Sequence, residues 1–118
     1  MKIIDELKQL IESNPISIST VSKNNSPHTI YVMYAKVIHF DKVLITDNYM
    51  KKTKENILLN PNVSLTVLVG GAAYELVGVA KYFCEGVYVE KIHKIIENKA
   101  FPCKGAIVID IKKIVKMG

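Results

Sequence analysis

The sequence predicts a mainly β protein, a six-stranded antiparallel barrel accompanied by three helices. Three observations carry this expectation. Short runs rich in β-branched residues recur along the chain. Most are joined by brief Asn-, Pro- or Gly-containing turns, which favour antiparallel pairing because parallel strands need long crossovers. Helical spacing is confined to three segments, too few to flank a doubly wound sheet.

The elements follow in order. Ile3, Ile4, Leu7, Leu10 and Ile11 have helical spacing over 3–13, with Asp5, Glu6, Lys8 and Glu12 between them. Asn14-Pro15 stops that helix. Residues 16–21 alternate and are β-branched, so they form a strand; Lys23 to Pro27 is a turn. One long strand is expected over 28–38, a turn at 40–42 and a short strand over 43–47. A polar loop leads to a helix over 54–59, closed by Asn60-Pro61. Strands are expected over 63–69 and 74–83, separated by Gly70-Gly71. Gly78, inside the second, predicts a bulge or a close backbone approach. A loose helical pattern covers 87–98, and a last strand runs over 105–115.

At 118 residues the chain reads as one domain, 1–118, large enough to bury a core without staples. Two cysteines make no disulfide framework, and no apolar run is long enough for a transmembrane helix. Asp5 and Glu6 stand where a signal peptide would need its apolar region, so a cytoplasmic location is expected. The net charge is +5, and every basic residue is lysine. Without arginine, the usual reader of guanine edges, a nucleic-acid partner is not expected. Lysine still binds phosphate, as a point charge.

The most informative stretch is Thr46-Asp47-Asn48-Tyr49-Met50-Lys51-Lys52-Thr53-Lys54-Glu55-Asn56. It places Lys51, Lys52 and the Thr53 hydroxyl at a helix N-terminus, where free N–H groups carry partial positive charge. That makes a phosphate cradle. The same residues also fit a helix start capped by Thr53, with Asn56 at the capping-box position and solvated lysines. Spacing leaves both open. In the strand over 28–38, His28, Thr29, Tyr31, Met33 and Tyr34 offer a face that could line a planar ligand or simply pack. His28, His39 and His93 are not at metal-ligand spacing, and no metal is expected. Cys84 and Cys103 form no Cys-x-x-Cys motif. No nucleophile elbow, dinucleotide fingerprint or Walker loop is present.

Four segments together resemble the flavin-binding split-barrel family related to pyridoxamine 5′-phosphate oxidase, and the likeness covers nearly the whole chain. They are Ile18-Ser19-Thr20-Val21 with Asn25-Ser26-Pro27-His28, the stretch from Thr46 to Ile57, Asn60-Pro61-Asn62-Val63-Ser64-Leu65, and Tyr74-Glu75-Leu76-Val77-Gly78-Val79-Ala80. The size is nearest to the short FMN-binding proteins of that family. The resemblance implies a six-stranded antiparallel split barrel, a homodimer, and FMN in a groove at the subunit interface.

Carried over by position, Lys52 and Thr53 would hold the FMN phosphate with Lys51 nearby. Thr46, Asp47 and Asn48 would run beside the ribityl chain or the ring edge, and Tyr31, Val32 and Met33 along the ring. Residues near Phe101 and Pro102 would come from the partner subunit. The absence of arginine argues against oxidation of pyridoxamine phosphate, whose phosphate the family's oxidases hold with arginines. The function implied is an FMN flavoprotein, an oxidoreductase or electron carrier. The alternatives are a deazaflavin or haem in the same groove, with His28 as the candidate haem ligand, or a non-catalytic flavin-binding module. No residue stands out as a catalytic acid or base.

Overall fold

A computed structural model describes residues 2–95 and 98–117. The chain runs α1 (Asp5–Ser13), β1 (Ile16–Val21), β2 (Pro27–Val32), β3 (Ala35–Ile38), β4 (Lys42–Asp47), α2 (Lys52–Leu59), β5 (Asn62–Val69), β6 (Ala72–Phe83), α3 (Val87–His93) and β7 (Gly105–Met117). The strands form one sheet in the order β2-β1-β5-β6-β7-β4-β3, and every pairing is antiparallel.

The two edge strands, β2 and β3, are consecutive in sequence and joined only by Met33 and Tyr34. A sheet whose edges are tied by two residues has to curl back on itself. The result is a barrel left open between its edges. Seven strands appear where six are expected, because the span 28–38 breaks at this join. Val32 and Ala35 are buried, whereas Met33 and Tyr34 are both exposed. Two successive outward side chains interrupt the two-residue period of a strand. No glycine, proline or Asx residue marks the break.

The barrel interior is aliphatic. Ile18, Val43, Ile45, Leu65, Leu76, Ile107, Ile109 and Ile111 are among its buried residues. Helix α1 adds Leu7 and Ile11, and the carboxylate of Glu12 accepts the Val37 N–H of edge strand β3 at 2.8 Å. The helix thereby covers an edge that would otherwise be open to pairing. On the outer face of β7, Ala106 and Val108 pack with Val89 and Ile92 of α3. The first half of β7 is thus buried on both sides, which explains its run of apolar residues from Ala106 to Ile109. Helix α3 ends at His93, short of the expected 98, and residues 96–97 of that span lie outside the described residues.

Gly78 marks a break in register: Val77 pairs with Lys113 and Gly78 with Ile111. A Cβ at Gly78 would lie 2.5 Å from the Asp110 carbonyl oxygen and 2.8 Å from Ile109 Cγ2. Backbone cannot step aside as a side-chain tip can. Gly78→Ala is expected to destabilise the fold by about 1–3 kcal/mol, measured as a lower urea midpoint. An unchanged midpoint would show that the bulge has slack.

Candidate functional site

The site grows from the end of β4. After Thr46 the chain turns through Asp47 to Lys51 and enters α2. Asp47 is fully buried. Its carboxylate accepts the Met50 N–H at 2.8 Å and the Tyr82 hydroxyl at 2.5 Å, with Lys104 Nζ 3.9 Å away. Lys104 also donates from Nζ to the Met50 carbonyl at 2.6 Å. The loop carrying Lys51 and Lys52 is therefore anchored from beneath. Burial, and secondarily the bond to Asp47, push the Tyr82 phenol well above its ordinary range.

Asn48 ties the loop to a second segment. Its amide Nδ2 donates to Asn98 Oδ1 at 2.8 Å, and its Oδ1 accepts the Cys103 N–H at 3.0 Å. This brings Asn98 and Phe101 against the loop, where Phe101 meets Tyr49 edge-on with ring centroids 6.3 Å apart. Cys103 packs with the α3 cluster, and burial raises its thiol pKa.

Helix α2 begins at Lys52 with Lys51 as its N-cap, and no side chain caps it. Thr53 lies inside the first turn rather than at the cap. Asn56 is not in a capping box either: its Nδ2 donates to Thr20 Oγ1 at 3.0 Å, pinning the helix to β1. The leading N–H groups of α2 are thus left for a ligand or water. Thr53 is 2% exposed, and its hydroxyl has no hydrogen-bond partner among the described residues.

These parts surround an open cavity of about 420 Å³, within the roughly 300–1,000 Å³ usual for small-molecule sites. One wall is β2 and the join to β3, from His28 to Tyr34. The other is the loop from Thr46 to the start of α2, with Asn98 and Phe101 beside it. Among the described residues no carboxylate lines it, whereas Lys51 and Lys52 do. It is therefore suited to a partly apolar anion.

Residues 3–117 match the family model described as pyridoxamine 5′-phosphate oxidase. The chain belongs to that family. An uncharacterised protein of Methanocaldococcus jannaschii is 37% identical over 120 residues, spanning 97% of this chain and 80% of the relative. Among solved structures, HupZ of Group A Streptococcus superimposes with a TM-score of 0.89 at 21% identity, covering 98% of this chain and 94% of HupZ. An FMN-binding protein from Syntrophomonas wolfei gives 0.79 at 20% identity, covering 94% and 83%. An F420 reductase gives 0.69 at 16% identity, covering 90% and 92%. The fold is the split barrel of this family.

Of the residues singled out from the sequence, Tyr31, Val32, Met33, Thr46, Asn48, Lys51, Lys52 and Thr53 line the cavity. Asp47 does not. Its carboxylate turns into the protein, because burial at the end of β4 demands partners that the cavity does not offer. Phe101, assigned by resemblance to a partner subunit, lines the cavity of its own chain. Ile30, Tyr49, Met50 and Asn98 complete the wall unforeseen. Ile30 was accessible to the two-residue strand period through His28 and Val32. Asn98 carried no local signal, since its place depends on a partner fifty positions away.

Proposed function

We propose that this protein binds FMN in the cavity between β2 and α2 and serves as an oxidoreductase or electron carrier. The observation that carries this reading is the pairing of an uncapped helix start, flanked by Lys51 and Lys52, with a largely apolar wall. Family membership and the fold likeness to an FMN-binding protein support it. The uncapped α2 N–H groups, the Thr53 hydroxyl and the two lysines would hold the phosphate. Ile30, Val32 and Met33 would flank the ring, and Thr46 and Asn48 the polar chain between. FMN, when bound, supplies hydride or single-electron chemistry, and the protein supplies anchorage and controls access.

The site also favours a homodimer. Tyr31, Met33, Tyr34, Tyr49 and Phe101 all remain exposed around the cavity, Tyr31 and Tyr49 at 73%. Such a cluster is usually covered by a ligand or partner. A second copy, related by a two-fold axis, would close two cavities at once.

The test is an absorbance spectrum of the purified protein, mass identification of any released chromophore, and light scattering. The expected result is a band at about 450 nm, about one FMN per chain and a dimeric mass. A released deazaflavin would give the cavity to the cofactor class suggested by the F420 reductase likeness. A Soret band would give it to haem, with His28 as the cavity's histidine. A monomer holding FMN tightly would refute the dimeric arrangement.

A further inference from the structure

His28 lines the same cavity as Lys51 and Lys52, although no local motif joins them. The sheet register pairs His28 with Thr20. The hydroxyl oxygen of Thr20 accepts the Asn56 amide of α2 at 3.0 Å. Asn56 and Thr53 are three residues apart on the buried face of that helix, and both are 2% exposed. This chain of contacts carries His28 to the start of α2. The ring is half-buried and lines the same cavity as Thr53.

Two further observations point to an anion there. Every fully buried side-chain nitrogen or oxygen among the described residues has a partner. The Thr53 hydroxyl has none, so its oxygen keeps part of that residue's small exposure, and the residue lines the cavity. The nitrogen-bearing side chains at this end, His28, Lys51 and Lys52, meet no opposing carboxylate in the lining. The nearest buried carboxylate, Asp47, is engaged with Met50 and Tyr82 outside it.

We propose that His28 is a third phosphate-binding side chain, donating a ring N–H to the ligand's phosphate opposite Lys51, Lys52 and Thr53. This rests on the flavin reading above. An imidazole has at least one N–H donor in either charge state. It adds a directed donor to a site with two flexible point charges and no arginine fork. The assignment also separates His28 from a haem-ligating role.

The test compares FMN with riboflavin, which lacks the phosphate, by fluorescence titration of wild type, His28→Ala and His28→Lys. The expected result is that His28→Ala weakens FMN binding about tenfold or more and leaves riboflavin binding unchanged. His28→Lys is expected to restore part of the FMN preference. Equal weakening of both flavins would make His28 a packing residue and overturn the proposal, as would an unchanged FMN-to-riboflavin ratio. Failure of the flavin reading looks different: wild type would bind neither compound, and the phosphate role of His28 would fall with it.

Discussion

Replacing Lys52 and Thr53 together by alanine is expected to weaken FMN binding by about a hundredfold or more while leaving the protein folded. Each charge-assisted contact to a phosphate contributes roughly 1.5–3 kcal/mol, so losing two removes about 3 kcal/mol at the low end. The stability cost is much smaller. Lys52 is exposed, and surface substitutions usually stay within about 0.5 kcal/mol. Thr53 is buried, but its replacement by alanine removes a methyl, worth about 1 kcal/mol, and a hydroxyl that makes no protein hydrogen bond. Fluorescence titration with FMN beside urea unfolding separates the two effects. Wild-type affinity in the double variant would show that the phosphate lies elsewhere. A parallel collapse of affinity and stability would show that Thr53 acts through folding.

The opposite pattern is expected at Asp47. Asp47→Ala leaves the Met50 N–H and the Tyr82 hydroxyl without their acceptor in a fully buried position. Two bonds to a charged group and the loss of a neighbour for Lys104 amount to about 3 kcal/mol or more of stability. That is a large share of the roughly 5–15 kcal/mol a domain of this kind possesses. FMN affinity should fall as well, because the loop carrying Lys51 and Lys52 loses its anchor. The check is equilibrium unfolding, and a loss below about 1 kcal/mol would mean that water or a rotated Tyr82 replaces the carboxylate.

The same pair predicts a slope with pH. Burial raises the folded-state pKa of Tyr82, so above about pH 10 the unfolded chain releases the phenolic proton while the folded chain retains it. This contribution is constant below pH 10 and declines above it. Tyr82→Phe should abolish that decline, so its stability and that of wild type converge at high pH. Parallel curves would contradict a raised phenol.

Local features were the legible ones. The alternation in 16–21, the Asn-Pro stops and the Gly70-Gly71 break identify their elements because each acts through its own backbone. Lys51 and Lys52 were readable for the same reason, since a strand end, a polar loop and a helix start are contiguous. Thr53 and Asn56 were harder. Their types suit a cap, yet Asn56 found its partner in Thr20 on another strand, and the helix began one residue before Thr53. A cap competes with any tertiary acceptor nearby, and sequence spacing does not contain that acceptor.

By itself, then, the sequence determined a mainly β barrel, its turns, the cationic loop before α2 and the resemblance to its family. Only the tertiary structure decided that the strand after His28 divides to join the two sheet edges, that Asp47 faces inward and that Phe101 lines the cavity within its own chain. It also decided that His28 shares a cavity with Lys51, Lys52 and Thr53. The physical reason is the same in each case. Alternation and capping are set by neighbours along the chain, whereas the direction of a buried carboxylate or the company of a histidine is set by residues that curling of the sheet brings near.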